Sequence, residues 1–279
     1  MGFKKPIVAE IAFHTFAINE FGMAACFLLW GTKRGILIDT GCGMYNIREI
    51  ADELCPVPYD VILTHSHGDH VAGIDHWDQV YIHPADMEAL SPKRFEQNAK
   101  MLGRYPEMMA AFGSFDAYEI TPEQIHYPER VPELLPLYDG QIIELGNRPV
   151  TVVHMPGHTP GEIALIDPFS RIAFTGDACN VNLGLRACTI KEALEGMERL
   201  ESHRHEFDRN YNGHIGYGSD NVNRSMPESC LDDCLRILRG ILDGTADVQH
   251  GPSPFRGGDP VDYVKEGAVL ITFDPKKIR

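Results

Sequence analysis

One heptapeptide, Thr64-His65-Ser66-His67-Gly68-Asp69-His70, directly follows the apolar run Val61-Ile62-Leu63. In an extended segment the side chains at i and i+2 share a face, so His65 and His67 can bind one ion. Once the chain turns into a helix at Gly68, Asp69 and His70 point elsewhere and could serve a second ion. Imidazole and carboxylate groups together suit zinc and other first-row divalent metals. The alternative is a polar loop with accidental histidines, but four potential ligands directly after a buried strand favour a metal site.

Three later segments each place another potential ligand directly after a predicted strand. His158 lies in a turn-rich loop after the strand at 149–154, and Asp177 follows the short strand at 171–174. His214 follows the segment Arg209-Asn210-Tyr211-Asn212. Because these residues repeat the arrangement of the heptapeptide, they are candidate ligands as well.

Asp39 ends the apolar strand Gly35-Ile36-Leu37-Ile38. An aspartate at this place can be an ordinary turn residue. It can equally be a carboxylate that hydrogen-bonds a metal ligand and holds it in place. The sequence leaves both interpretations open.

The charge balance of the chain excludes some classes of partner. The 279 residues include 25 Lys and Arg against 40 Asp and Glu, a formal net charge of -15. Nucleic-acid binding requires clustered basic residues, so this balance argues against it. We expect a small-molecule substrate and no nucleic-acid partner.

Other features predict a cytoplasmic protein without a membrane segment. The longest apolar run, at 21–30, has the length of a strand and is far shorter than a membrane span, and the N-terminal residues do not resemble a signal peptide. Seven cysteines without a regular framework suit a reducing compartment. Most of them are expected to be small buried hydrophobes, although Cys230 and Cys234 lie four residues apart on a predicted helix.

We predict a single domain over residues 1–279, built from two halves that each combine strands with helices. Besides those that precede the motifs, strands are expected at 6–13, 25–30, 80–82, 142–145 and 162–166. Helices are expected at 45–54 and 227–243. The C-terminal part, 226–279, then continues through a loop-rich tail at 250–260 to an edge strand at 268–273.

Residues 84–128 differ in character, because Met, Phe and Tyr side chains lie there among polar residues and glycines. One interpretation is a set of helices that pack on the core, and another is the face of a homodimer. The third is a helical insertion that leans over the metal site and shapes an apolar pocket. On the third interpretation, the walls of the pocket include residues from this set: Phe95, Met101, Tyr105, Met108 and Phe112.

Taken together, the motifs resemble those of the metallo-β-lactamase superfamily and occur in the same order. They are Asp39-Thr40-Gly41, residues 65–70, Gly157-His158-Thr159-Pro160-Gly161, Thr175-Gly176-Asp177 and Gly213-His214. The resemblance implies an α/β fold, a four-layer αββα sandwich of two mixed sheets with helices outside. It also implies a metal site along one edge of the sandwich.

The same resemblance assigns the ligands. It implies that His65, His67 and His158 hold a first metal, and that a second is held by Asp69, His70 and His214. Asp177 would bridge the two ions. True β-lactamases generally lack a bridging carboxylate there, so the chain looks more like the branch of glyoxalase II-like thioesterases and lactonases.

This branch implies a dinuclear hydrolase that cleaves an ester, thioester or lactone. A hydroxide between two divalent ions is a strong nucleophile, since metal binding lowers the pKa of water to about 7. Asp69, a ligand with a free oxygen, could orient that hydroxide and carry a proton to the leaving group. Zinc is the expected metal, and His and Asp ligands also accept iron or manganese.

Two alternatives use the same scaffold. An iron-dependent oxygenase of the persulfide dioxygenase type would need only His65, His158 and Asp177 as ligands. The other alternative is a phosphodiester hydrolase. The presence of both His70 and His214 favours the dinuclear interpretation.

Overall fold

The computed structural model describes residues 5–95, 103, 124–214, 224–253 and 257–279. Its largest sheet is mixed: the first four strands pair antiparallel and the following ones pair parallel. The seven strands lie in chain order: β1 (Ile7–Ala12), β2 (Thr15–Glu20), β3 (Ala24–Trp30), β4 (Gly35–Ile38), β5 (Tyr59–Ile62), β6 (Gln79–Ile82) and β7 (Glu133–Pro136). The strand β2 was not predicted, and it pairs with both β1 and β3.

A second mixed sheet packs face to face on the first. Its five strands are β8 (Ile142–Glu144), β9 (Pro149–His154), β10 (Ile163–Asp167), β11 (Ile172–Phe174) and β13 (Arg209–Tyr211), in the spatial order β13-β11-β10-β9-β8. The two sheets share one buried cluster, in which the rings of Phe27 and Phe174 lie 4.8 Å apart between centroids. The predicted pairing of two sheets is therefore confirmed.

Helices cover the outer faces of both sheets. On the first sheet lie α1 (Ile47–Leu54), the short α2 (Gly68–Val71) and α3 (Pro84–Met87), and on the second lie α4 (Ile190–Ser202) and α5 (Cys230–Asp243). The strand β10 shows the layering: Ile163 and Leu165 face the first sheet, whereas Ala164 and Ile166 face the helices. A strand buried on both faces is apolar throughout. The predicted αββα sandwich is confirmed.

Local sequence determines where the two long outer helices begin and end. Thr189 and Glu192 form a capping box at the start of α4, in which each side chain accepts a hydrogen bond from the other's backbone N–H. Gly244 ends α5 with a left-handed conformation, φ 72°, which glycine adopts without strain. The latter helix starts at Cys230, three residues later than predicted. No helix among the described residues is long and apolar enough to cross a membrane.

The C-terminal region differs from the prediction. Residues 250–253 and 257–260, predicted as part of a loop, lie instead in two paired strands, β14 (Gln249–Ser253) and β15 (Gly257–Glu266). This pair joins β16 (Val269–Phe273) and β12 (Asn182–Leu185) in a third sheet with the order β12-β16-β15-β14. The predicted edge strand is thus an internal strand, paired on both sides.

Most of the predicted insertion at 84–128 lies outside the described residues, including the predicted pocket residues Met101, Tyr105, Met108 and Phe112. Phe95 is described, and it is buried in the hydrophobic cluster between the first sheet and α1. The interpretation of Phe95 as a pocket wall is therefore wrong, because its ring packs in the core.

Candidate metal centre

The predicted ligands come together where strands of both sheets end. The heptapeptide follows β5 of the first sheet, and His158, Asp177 and His214 follow β9, β11 and β13 of the second. A hydrogen bond joins the sheets beside the site, since the backbone N–H of Ile163 donates to the carbonyl of Thr64 at 2.9 Å. The face-to-face packing of the sheets therefore forms the site from segments that are far apart in sequence.

The seven side chains form three overlapping groups, each with ligand atoms within 4.8 Å of one another. The groups are His65, His67 and His158; His65, His70 and Asp177; and Asp69, His70 and His214. The first and last groups match the two ligand sets that the resemblance implies. Their assignment as ligands stays a prediction.

Asp177 lies between those two groups. Its Oδ2 atom is 3.4 Å from Nε2 of His158 and 3.2 Å from Nε2 of His214. Its Oδ1 atom is 3.9 Å from Nε2 of His70. One carboxylate thus faces nitrogens of both sets, which is the placement required of a bridging ligand.

Backbone carbonyls orient two of the imidazole rings through contacts with their Nδ1 atoms. Nδ1 of His158 lies 2.9 Å from the carbonyl oxygen of Gly184, and Nδ1 of His214 lies 2.6 Å from that of Met23. A protonated Nδ1 that donates to a carbonyl leaves the Nε2 lone pair for a metal. Both rings therefore present Nε2 to the site.

Asp39 serves as a supporting carboxylate, which decides between the two interpretations of this residue. Its Oδ2 lies 2.9 Å from Nδ1 of His70, and its carboxylate also accepts hydrogen bonds from the backbone N–H and hydroxyl of Thr64. Its φ of 62° is unusual for a residue other than glycine. Backbone strain of this kind persists where the surroundings hold it, and here three hydrogen bonds do so.

Several atoms at the centre of the site are buried and have no hydrogen-bond partner among the described residues. They include Nε2 of His65, Nε2 of His70 and Oδ1 of Asp177. Buried polar atoms are normally paired, because leaving one unpaired costs about 1–3 kcal/mol. Cations bound by the two predicted ligand sets, with Asp177 between them, would satisfy these atoms, so the donor set fits metal ions.

The protonation of two histidines of the first ligand set also suits metal binding. Burial, together with the charges of His70 and His67, holds the pKa of His65 well below its usual range. Burial and the neighbouring His158 lower the pKa of His67 to about 4. Both rings are therefore neutral near pH 7, and the neutral imidazole is the form that binds metals.

Two buried carboxylates beside the site were missed by the sequence analysis. Glu162 accepts a 2.5 Å hydrogen bond from the backbone N–H of Asp177, and its Oε1 lies 3.6 Å from Nδ1 of His65. A Cβ atom on Gly176 would lie 2.8 Å from the same Oε1, so the motif needs glycine there.

The second such carboxylate, Asp86, connects the two loops that carry the first ligand set. Its two oxygens accept hydrogen bonds from the backbone N–H groups of Ser66 and Gly161, at 2.9 and 2.7 Å. Glu162 could have been noted as a charged residue that begins a buried strand. Asp86 resembles an ordinary acidic residue in the first turn of a helix, and its type gives no signal of this role.

Comparison with protein families identifies the fold. The family described as Metallo-beta-lactamase superfamily matches residues 19–185, which is more than half of the chain. The chain belongs to the metallo-beta-lactamase superfamily. The superfamily predicted from the motifs is thereby confirmed, although His214 lies beyond the matched residues.

The names of two relatives fit the predicted branch of glyoxalase II-like thioesterases and lactonases. Human acyl-coenzyme A thioesterase MBLAC2 (Homo sapiens) is 30% identical over 166 residues, which cover 55% of this chain and 57% of the relative. Hydroxyacylglutathione hydrolase GloC of Haemophilus influenzae is 28% identical over 153 residues, covering 54% and 65%. This chain thus matches less than two thirds of the length of either relative.

A solved structure supports the same fold. The metallo-beta-lactamase from Pontibacter korlensis superposes with a TM-score of 0.57 at 15% sequence identity, covering 84% of this chain and 99% of that one. At this identity the likeness concerns the fold alone.

Proposed function

We propose that this protein is a metal-dependent hydrolase that cleaves thioesters with two divalent metal ions, most simply zinc. The observation that carries the proposal is the position of Asp177, whose Oδ2 lies within 3.4 Å of one histidine from each ligand set. Two cations bound by these ligand sets would need an anionic group between them. Acyl-coenzyme A and hydroxyacylglutathione, in the names of the two relatives, are both thioesters.

Each residue has a definite task in this proposal. His65, His67 and His158 hold one ion, and Asp69, His70 and His214 hold the other. When bound, the ions supply a water molecule with a pKa of about 7 and polarise the acyl carbonyl.

Asp69 is the proposed proton carrier. Its Oδ2 lies 3.6 Å from Nε2 of His214, and its side chain is partly exposed at the site. It is also a carboxylate, because burial, which would raise its pKa, is outweighed by the charges of His70 and His214. It can therefore accept a proton from the attacking water and transfer it to the leaving group.

Hydrolysis can be followed by the release of free thiol from an acyl-coenzyme A and from a hydroxyacylglutathione. The oxygen ester of the same acyl group and a lactone serve as comparison substrates. We expect thioester cleavage that is lost on chelation, restored by zinc, and abolished by Asp177→Asn. Asp208→Asn is the matched control, since Asp208 is exposed and pairs with Arg171 away from the site.

Activity that survives chelation or Asp177→Asn would contradict the proposal. One iron per chain together with oxygen consumption would favour the oxygenase interpretation instead. Cleavage of a phosphodiester but of no acyl substrate would assign the site to the other alternative.

A further inference from the structure

Three buried thiols meet on the side of the second sheet that α5 covers. Cys179 follows the turn that carries Asp177, whereas Cys230 and Cys234 lie one turn apart on α5. Residues four apart share one face of a helix, so both cysteines of α5 point to the same place. The three sulfur atoms lie within 4.8 Å of one another, and each residue is at most 1% exposed.

Two of the sulfur atoms are separated by a distance that suits thiolates around a metal ion. Sγ of Cys179 lies 3.9 Å from Sγ of Cys230. Two sulfurs at about 2.3 Å from one zinc ion are separated by about 3.8 Å in tetrahedral geometry. A disulfide would instead require about 2.05 Å. The pair is thus separate and already at the distance that coordination needs.

The surroundings favour a soft cation. Sulfur is the ligand atom of all three side chains, and thiolates select zinc or cuprous ions over magnesium or calcium. Cys230 is the first residue of a helix of 14 residues, where the positive end of the helix dipole favours a thiolate. The nearby carboxylate of Asp233 binds Ser229, Arg236 and the backbone of Ala268, so it does not compete for the ion.

We propose that Cys179, Cys230 and Cys234 form a second kind of metal site, a thiolate site for a thiophilic cation of the zinc class. Binding exchanges the three S–H protons, released to solvent, for three bonds from sulfur to the metal. The ion would link the start of α5 to Cys179, directly after the turn that carries Asp177. This site is independent of the proposed hydrolase function, because none of the seven predicted ligands of the histidine site is a sulfur atom.

Cadmium is the probe that distinguishes the two sites. Thiolate ligands give cadmium an ultraviolet charge-transfer band that histidine and carboxylate ligands do not give. Fully reduced, metal-free protein is titrated with Cd²⁺, both folded and during refolding, because the sulfur atoms are buried. We expect the thiolate band to reach the intensity of one thiolate-bound Cd²⁺ per chain, and added Zn²⁺ to displace that Cd²⁺ and remove the band.

Single substitutions test which cysteines give rise to the thiolate band. Cys234→Ala and Cys230→Ser should each reduce it to background, whereas Cys55→Ala should leave it unchanged, since Cys55 is a free and partly exposed thiol outside the cluster. The proposal is overturned if wild-type protein binds Cd²⁺ without a thiolate band, or if the band persists in a folded Cys234→Ala variant. A wild-type protein that gives the thiolate band but has no thioesterase activity would count against the hydrolase proposal alone.

Discussion

Nδ1 of His70 and Oδ2 of Asp39 lie 2.9 Å apart, and both side chains are buried. Burial alone would lower the pKa of His70, but the charge and hydrogen bond of Asp39, together with the charges of Asp177 and Asp69, outweigh it and raise that pKa to about 10. At neutral pH, His70 therefore carries two ring protons when no cation is present. A metal at Nε2 has to displace one of them.

This relationship predicts how metal affinity depends on pH. Because the pKa of His70 is raised, its proton stays bound throughout the neutral range and competes with the metal. This competition weakens as the pH rises towards about 10. Affinity should increase by up to about tenfold per pH unit for each proton displaced. Titration calorimetry in buffers of different ionisation enthalpy measures the protons released.

The matched variant is Asp39→Asn, which keeps the shape of the side chain and removes its charge. His70 should then have a lower pKa, and fewer protons should be released on metal binding near pH 7. An unchanged proton release would contradict the role given to the pair.

Asp69→Asn should separate metal binding from hydrolysis. The amide keeps an oxygen for the second ion but cannot accept a proton, so the first ligand set should bind metal as before. We expect kcat to fall by about 10²–10⁴-fold, the usual range for loss of a general acid–base. Wild-type rates in a metal-loaded Asp69→Asn protein would remove Asp69 from the mechanism.

Asp86→Ala should weaken metal binding by the first ligand set, although Asp86 is not one of the predicted ligands. The change leaves the buried N–H groups of Ser66 and Gly161 without their acceptor, and each unpaired group costs about 1–3 kcal/mol. The loops carrying His67 and His158 should then separate, so metal affinity should fall together with stability. If the melting temperature falls while metal affinity is retained, Asp86 is a structural residue only.

Phe95→Ala should affect stability without affecting specificity. Phe95 is buried in the cluster beneath α1, and removing a buried phenylalanine costs about 3–5 kcal/mol of the free energy of unfolding. Denaturant unfolding measures this loss, and substrate preference should be unchanged. A changed preference at wild-type stability would restore the pocket interpretation of this residue.

The parts of the fold that the sequence predicted are those with a strong local signal. The heptapeptide, the helix of Ile47–Leu54 and the buried runs of β3 and β10 all have clear periodicity or motifs. The tail was mistaken for a loop because of its Gly and Pro residues. Pro252 lies in β14, an edge strand of the third sheet, and edge strands tolerate proline.

The supporting contacts of the site could not be predicted, because they join residues that are distant in sequence. Asp86 and Gly161 are 75 residues apart, and Cys179 and Cys230 are 51 apart. No local pattern encodes such a pair. The spacing of Cys230 and Cys234 was visible in the sequence, but only the packing of α5 on the second sheet brings Cys179 to them.

The central claim is that two metal ions lie on either side of Asp177. Crystals of the zinc-loaded protein, measured on both sides of the zinc absorption edge, locate the ions directly in an anomalous difference map. We predict one peak among His65, His67 and His158, and another among Asp69, His70 and His214. In a zinc-loaded and active protein, a single peak at these side chains, or none there, would contradict the account.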